Sequence, residues 1–235
     1  MNRHFKNIVF TNPIMYLLYY HLVRKNLGKY PKLPSKENDL YFDGYPRSGN
    51  TYTAGLINYF FPSISWTHHL HAEVGIKMAL SRKVPCLIII RDPLDAVASF
   101  TFTKSKNKVI NKKVIDQCLW RYIDYYSFVS LRKSKMEIVG FDRVIKKPEG
   151  FILQLAIKLN LNLCFKQEEV LKKINDYDSK MHDKENHKAL EYSSLPTKAR
   201  DDFKKMVKQT IKSHRNFSEA LDLYHSLNAT TPKGA

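Results

Sequence analysis

Two kinds of hydrophobic pattern alternate along the chain. Short continuous or alternating apolar runs predict strands at Leu40–Tyr45, Ser63–His68, Pro85–Ile90 and Met136–Phe141. Apolar residues at helical spacing predict helices over 51–61, 73–82 and 111–133, one entered through Pro148, and one long helix from Phe203 to Tyr224. Strands that alternate with helices indicate a three-layer α/β/α domain with a mostly parallel central sheet.

Three segments lie outside this alternation. Pro13–Val23 is apolar and rich in tyrosine but shorter than the ~20 residues of a membrane span, which predicts a helix packed on the domain, with a peripheral membrane contact as the alternative. Gly28–Asn38 is a polar connector, so we expect an N-terminal helix and connector over 1–38 and the α/β domain over 39–235. Residues 166–196 are polar and weakly periodic, which predicts a mobile loop or lid.

The chain carries 39 Lys and Arg against 22 Asp and Glu, a net charge of +17. This excess attracts anions such as nucleotides, acidic glycans, nucleic acids or acidic membranes. The three cysteines, Cys86, Cys118 and Cys164, are widely spaced among apolar residues. They therefore predict buried reduced thiols, no metal site and a cytoplasmic location.

The segment Gly44–Thr51, G-Y-P-R-S-G-N-T, follows a predicted strand and opens a predicted helix. In this position a glycine-containing turn directs backbone N–H groups at phosphate oxygens. The spacing fits G-x-x-x-x-G-K-[ST] at Gly44, Gly49 and Thr51, but Asn50 stands in the lysine position. The cation is Arg47, inside the loop, so the segment predicts a P-loop-like anion site that departs from the nucleotide triphosphatase pattern.

A second cation, Arg91, follows the apolar run that ends at Ile90. The carboxyl end of a parallel strand is the place where open α/β sheets bind ligands. Ser99 lies eight residues on, in a helix predicted to start near Pro93. Arg91 and Ser99 reach one anion only if that helix folds back toward the strand end; otherwise Ser99 bonds its own backbone.

These motifs resemble those of sulfotransferases that use 3'-phosphoadenosine 5'-phosphosulfate as donor. Tyr45–Tyr52 is similar to the family's Y-P-[KR]-S-G-[TN]-T-W loop, and Arg91-Asp-Pro-x-Asp with Ser99 is similar to its 3'-phosphate motif. Val139–Asp142, followed by Lys147 and Pro148, is similar to its Y-E-D-L…D-P segment. The resemblance extends from Tyr41 to Leu161.

The resemblance implies a role for each matching residue. The 5'-phosphosulfate would be held by the loop residues Arg47, Ser48, Gly49, Asn50 and Thr51. Tyr52 would replace the tryptophan that stacks on adenine, and Arg91 and Ser99 would bind the 3'-phosphate. The family's C-terminal R-K-G segment has no match here, and Lys188, Lys198 or Arg200 are its candidate substitutes.

Sulfuryl transfer also needs a base near the acceptor, and the segment Trp66–His71 supplies three histidines at the end of a predicted strand. His68 aligns with the histidine of the family's K-T-H segment and is the predicted base. His69 and His71 are the alternatives, as is the carboxylate Glu73, since some relatives use a glutamate. Three histidines without cysteine or acidic ligands downstream are a weak metal pattern.

The expected activity is in-line transfer of a sulfuryl group from this donor to a hydroxyl or amine of a small-molecule or glycan acceptor, without a metal. The first alternative is a P-loop kinase or nucleotide triphosphatase, with Asp92 holding magnesium; Asn50 argues against it. The second is a nucleic-acid-binding module. Because Lys and Arg are scattered over the chain, we expect no specific nucleic-acid partner.

Overall fold

The computed structural model of the chain describes residues 8–24, 33–68, 70–105, 109–160, 169–176 and 198–229. Four strands within these ranges form a parallel sheet in the order β2-β1-β3-β4: β1 Leu40–Gly44, β2 Trp66–His68, β3 Cys86–Ile90 and β4 Glu137–Gly140. The helices are α1 Pro13–Arg24, α2 Asn50–Phe60, α3 Glu73–Ser81, α4 Pro93–Lys104, α5 Lys112–Ser130, α6 Phe141–Lys146, α7 Pro148–Lys158, α8 Lys198–Lys212 and α9 Phe217–Asn228. The predicted three-layer α/β architecture is confirmed.

Alternation along the strands divides the core into two layers. One layer, here called the hydrocarbon face, packs β1 and β3 against α2 and α7 through Leu40, Phe42, Leu56, Ile57, Phe151 and Ile152. The opposite layer, here called the tyrosine face, contains the fully buried Tyr41, Tyr45, Tyr122, Tyr125 and Tyr126, three of them from α5. Since successive side chains of a strand point to opposite sides, β1 alone contributes to both layers.

All four predicted strands are shorter in the structure, β1 and β3 by one residue each. β2 covers only Trp66–His68, because its partner β1 begins at Leu40 and pairing starts at Leu40 and Trp66. The strand predicted over Met136–Phe141 ends at Gly140, and Phe141 opens the short helix α6. This change of direction places the Phe141 ring beside the loop that follows β1, within 2.7 Å of where a Cβ on Gly49 would lie.

The long C-terminal helix predicted from Phe203 to Tyr224 is wrong, because the chain breaks there into α8 and α9. His214 accounts for the break. Its Nε2 lies 3.1 Å from Asp116 Oδ1 on α5, and its Nδ1 accepts a hydrogen bond from the backbone N–H of Asn216. With both ring nitrogens engaged, His214 holds the backbone out of helical geometry between the two helices.

Most of the segment predicted as a lid, 166–196, lies outside the described residues. Residues 169–176 are described and are helical, with Val170 and Ile174 buried against the hydrocarbon face, so the loop prediction is wrong there. The two buried positions are four residues apart, one helical turn, which is a weak signal in so polar a segment.

The predicted N-terminal helix is confirmed as α1. Its Tyr16 is buried in the same cluster as the tyrosine face, whereas Ile14 and Leu22 are 70% and 77% exposed. Across the described ranges, no helix combines the length and apolar character needed to cross a bilayer.

Candidate phosphate-binding site

The loop Tyr45–Gly49 joins the carboxyl end of β1 to the first turn of α2. A Cβ on Gly44 would lie 2.6 Å from the Ile89 carbonyl oxygen, so only glycine allows β1 to run this close to β3. Gly49 has a φ of 88°, and a Cβ there would lie 2.6 Å from the Phe141 ring. Arg47 also adopts a positive φ, 71°, which is strained for a residue with a side chain. The loop is thus a tight, specifically built turn.

Buried polar side chains brace the loop from inside. Asn50, in the place of the P-loop lysine, donates from Nδ2 to the Tyr45 carbonyl oxygen at 3.2 Å. Its Oδ1 is buried and has no hydrogen-bond partner among the described residues. Ser48 is fully buried, and its backbone N–H donates to the Tyr45 carbonyl at 3.1 Å. The amide at position 50 therefore stabilises the turn and retains an unused acceptor.

The structure brings Arg47, Arg91 and Ser99 together. Arg47 Nε donates to Ser99 Oγ at 3.2 Å, and Arg91 Nη1 donates to the Arg47 carbonyl oxygen at 2.9 Å. Ser99 of α4 and Arg91 at the end of β3 thus both contact Arg47, one through its side chain and the other through its backbone. Two cations therefore meet at the carboxyl ends of β1 and β3, beside the positive end of α2.

Arg91 is held in a largely dry environment. Its guanidinium lies over the Phe141 ring, 4.2 Å from the centroid, and its Nε is buried without a hydrogen-bond partner in the described part of the chain. Burial lowers the pKa of Arg91, and the carboxylates of Asp95 and Asp142 oppose that shift. A half-buried cation with an unused, buried N–H is a favourable partner for an anion.

Asp92, the residue that a triphosphatase would use for magnesium, has a structural role. Its Oδ1 accepts the backbone N–H of Leu94 at 2.7 Å and so caps the N-terminus of α4. Asp95, in the first turn of the same helix, forms an ion pair with Lys208 of α8. No group of three or more His, Cys, Asp or Glu side chains suited to a metal occurs within the described ranges.

The three histidines of the Trp66–His71 segment have different environments. His68 ends β2, and its ring stacks on Phe42 with centroids 5.2 Å apart and planes at 15°. His69 lies outside the described residues. His71 lies beside the start of the loop Tyr45–Gly49, here called the phosphate loop, where its Nδ1 is 2.7 Å from the Gly44 carbonyl oxygen and 3.2 Å from Asp43 Oδ1.

Glu73, the carboxylate alternative for the base, is buried in an ion pair with Arg121. Arg121 contacts both carboxylate oxygens of Glu73, with Nη2 to Oε2 at 3.0 Å. The same Nη2 donates to the His71 carbonyl oxygen at 2.6 Å. Glu73 therefore fixes Arg121, and through it the backbone of His71.

The remaining predicted residues have less defined roles. Tyr52 is half-buried on α2 and packs against the hydrocarbon face, while Thr51 is exposed. Lys188 lies outside the described residues, and Lys198 and Arg200 fall in the first turn of α8.

Sequence reasoning missed the tyrosines that support the site. Tyr126 donates from its hydroxyl to the Ile89 carbonyl at 2.7 Å and lies 3.3 Å from the backbone N–H of Tyr45, which donates to it. Tyr122 donates to the Arg91 carbonyl at 2.7 Å. Both occupy apolar positions of the α5 pattern, so the sequence indicated burial but not these hydrogen bonds.

It also missed Asp43, a carboxylate inside the apolar run Leu40–Gly44. A charge buried in a strand needs polar partners, and that rule is the signal that could have found it.

Comparison with known proteins supports the fold. No protein-family profile and no curated protein matches the chain. Among solved structures, mouse sulfotransferase SULT7A1 complexed with PAP is similar, with a TM-score of 0.54 and 12% sequence identity over 85% of this chain and 87% of that chain. At this identity the likeness concerns the fold: the chain has a sulfotransferase-like α/β fold.

Proposed function

We propose that the protein is a sulfotransferase that moves a sulfuryl group from 3'-phosphoadenosine 5'-phosphosulfate to a hydroxyl or amine of a small-molecule or glycan acceptor. The observation that carries this proposal is the contact of Arg47 with both Ser99 and Arg91 at the end of a P-loop-like turn. A donor with two anionic groups, one on each side of its ribose, matches two cations supplied by neighbouring strands. The similar fold of a sulfotransferase that binds PAP supports the same proposal.

The residues present fit such a donor. The backbone N–H groups from Gly49 to Thr51, at the N-terminus of α2, would hold the 5'-phosphosulfate together with Arg47 and the Ser48 side chain. Arg91 and Ser99 would bind the 3'-phosphate, and the unused Arg91 Nε is a further buried donor there. Tyr52 would contact the adenine.

The rate enhancement would come mainly from electrostatics. Negative charge grows on the 5'-phosphate oxygen as its bond to sulfur breaks, and preorganised cations and N–H groups stabilise that charge. Arg47 is held by its hydrogen bond to Ser99 and by the strained loop backbone, so its side chain needs little rearrangement when the donor binds. A base must then accept the acceptor's proton, and the resemblance implies His68 for this role.

Thermal unfolding with and without nucleotides tests the proposal. Adenosine 3',5'-bisphosphate should raise the melting temperature markedly more than AMP, because AMP lacks the phosphate that Arg91 and Ser99 would bind. At a nucleotide concentration of ~100 times its Kd, binding raises the free energy of unfolding by ~2.7 kcal/mol. Equal shifts with both nucleotides would contradict the 3'-phosphate site.

A matched pair of arginine variants sharpens this test. Arg91→Met should remove most of the difference between the melting-temperature shifts that the two nucleotides cause. Arg132→Met is the control, since Arg132 also lies over a phenylalanine ring, 3.8 Å from the Phe128 centroid, but follows the far end of α5. The control should retain the full difference.

A further inference from the structure

We infer that His71 is the catalytic base of the proposed transfer and that the buried carboxylate of Asp43 positions it. This inference depends on the proposed function for its reaction, and it replaces the base implied by the resemblance. It is drawn from the contacts of the two side chains.

Asp43 is fully buried at the end of β1, directly before Gly44 and the phosphate loop. Its Oδ2 accepts the Tyr41 hydroxyl and the backbone N–H of His71, both at 2.8 Å. Its Oδ1 accepts the backbone N–H of Gly44 at 2.9 Å and lies 3.2 Å from His71 Nδ1. With these donors the Asp43 carboxylate is held in one orientation.

These contacts determine which ring nitrogen of His71 carries the proton. Nδ1 faces two acceptors, the Gly44 carbonyl oxygen at 2.7 Å and Asp43 Oδ1 at 3.2 Å. A carbonyl oxygen can only accept, so Nδ1 is assigned the hydrogen, and the lone pair of the neutral imidazole lies on Nε2. This is the arrangement by which a carboxylate prepares a histidine base.

The backbone of His71 is also held for this purpose. His71 has a φ of 49°, which is uncommon for a residue with a Cβ. Arg121, itself paired with Glu73, fixes the His71 carbonyl oxygen, and Asp43 fixes its N–H. Such strain is maintained where the surrounding contacts over-determine the position, as at functional sites.

His71 forms a hydrogen bond at the start of the phosphate loop, whereas the His68 ring packs against aromatic side chains. The His71 ring bonds the carbonyl of Gly44, the residue before the loop, and its side chain is 26% exposed, so an acceptor can reach it. The His68 ring instead stacks on Phe42 and lies beside Trp66, with centroids 4.4 Å apart. His71 therefore has a carboxylate partner, a fixed tautomer and a side chain that an acceptor can reach.

In the proposed step, the acceptor oxygen forms a bond to sulfur while the bond between sulfur and the 5'-phosphate oxygen breaks. The electron pair of the broken bond remains on the phosphate oxygen, near Arg47. The acceptor proton passes to His71 Nε2, which makes the imidazole cationic, and the Asp43 carboxylate stabilises that cation. With water as acceptor, the products are sulfate and adenosine 3',5'-bisphosphate.

The test measures hydrolysis of the donor, 3'-phosphoadenosine 5'-phosphosulfate, in wild type and histidine variants. His71→Asn is preferred because asparagine tolerates a positive φ and can still donate to the Gly44 carbonyl. It should bind adenosine 3',5'-bisphosphate normally and lose ~10²–10⁴-fold in rate. His214→Ala is the control, because His214 also pairs with a carboxylate, Asp116 of α5 at 3.1 Å, but lies in the break between α8 and α9. The control should keep the wild-type rate.

Asp43→Asn tests the positioning role by a spectroscopic readout. The two oxygens of the Asp43 carboxylate accept from four donors, whereas the asparagine amide has one accepting oxygen. His71 Nδ1 should therefore lose this acceptor, and the His71 ring should shift toward the tautomer with hydrogen on Nε2. Imidazole ¹⁵N chemical shifts of His71 should show hydrogen on Nδ1 in wild type and a change in Asp43→Asn, with a rate loss of ~10²–10⁴-fold. Tyr41→Phe removes one bond to Asp43 Oδ2 and should leave the tautomer unchanged.

The outcomes separate the base from the function. If wild type binds adenosine 3',5'-bisphosphate and hydrolyses the donor, but His68→Ala loses as much rate as His71→Asn or more, the base inference is overturned and the proposed function stands. Hydrogen on Nε2 in wild type overturns the role of Asp43. If wild type neither binds the bisphosphate nor hydrolyses the donor, the proposed function is overturned, and the base falls with it.

Discussion

The two layers that cover the sheet differ in chemistry although both are fully buried. The hydrocarbon face consists of aliphatic and phenylalanine side chains from β1, β3, α2 and α7. The tyrosine face places five buried hydroxyl-bearing rings and the carboxylate of Asp43 against the same strands. A core of hydrocarbon stabilises by burial alone, whereas a buried hydroxyl lowers stability unless it is hydrogen-bonded.

The partners explain why the polar layer lies on that side. Three of the five hydroxyls donate hydrogen bonds to residues at the carboxyl ends of β1 and β3: Tyr41 to Asp43, Tyr126 to Ile89 and Tyr122 to Arg91. The polar layer therefore fixes the candidate site, and the hydrocarbon layer supplies stability. Substitutions on the two faces should separate these two properties.

The largest effect on stability should come from the hydrocarbon face. Phe151→Ala removes a ring that is 2% exposed and should lower the free energy of unfolding by ~3–5 kcal/mol, through lost burial and the cavity left behind. Urea unfolding measures the change. Below its unfolding temperature the variant should bind adenosine 3',5'-bisphosphate as wild type does.

The control lies on the same helix. Ile157 is 81% exposed, so Ile157→Ala should change the free energy of unfolding by ~0.5 kcal/mol or less. A similar loss in both variants would mean that α7 contributes through helix stability and not through packing on the hydrocarbon face.

Arg47→Ala should have the converse effect. Loss of one preorganised contact to the transferring group costs ~10²–10³-fold in rate, while stability changes less because the Arg47 side chain is half-buried and outside the hydrophobic core. Donor hydrolysis and thermal unfolding measure the two quantities. A variant with a near-normal rate would show that the loop amides suffice.

The sequence predicted the α/β architecture and the loop between β1 and α2 because both depend on local patterns. The continuous apolar run before Arg91 and the turn between Gly44 and Thr51 each indicate their structure within a few residues. A shared anion for Arg91 and Ser99 was predicted only on the condition that α4 folds back, and it stays a prediction; the structure joins Ser99 to the Arg47 side chain and Arg91 to the Arg47 carbonyl oxygen.

What the sequence did not predict depends on contacts between distant residues. His71 is 28 residues from Asp43, and its environment follows from the packing of Arg121 on Glu73. The break between α8 and α9 likewise depends on Asp116, 98 residues before His214. The spacing of hydrophobic residues near these positions does not indicate either pairing.

Alkaline pH should destabilise the tyrosine face selectively. Burial raises the pKa of all five of its tyrosines above the ordinary value of about 10. The unfolded chain therefore loses these protons at lower pH than the folded chain, so their stabilisation is complete below about pH 10 and is lost as the pH rises through the folded values.

Tyrosinate absorbance and circular dichroism, followed together, check this expectation. The buried tyrosines should ionise in a cooperative step that coincides with loss of the fold. Gradual ionisation of every tyrosine near its ordinary pKa, with the fold intact, would contradict the described burial.

The smallest expected effect distinguishes tyrosines within one face. Tyr45 donates to the Cys118 carbonyl at 2.9 Å, so Tyr45→Phe should cost ~0.5–1.5 kcal/mol of the free energy of unfolding. The Tyr125 hydroxyl is buried without a hydrogen-bond partner in the described ranges, so Tyr125→Phe removes an unpaired polar group and should be neutral or stabilising. Urea unfolding of both variants measures the difference in sign. Equal destabilisation would show that the Tyr125 hydroxyl has a partner in solution, and the tyrosine face would then be fully hydrogen-bonded.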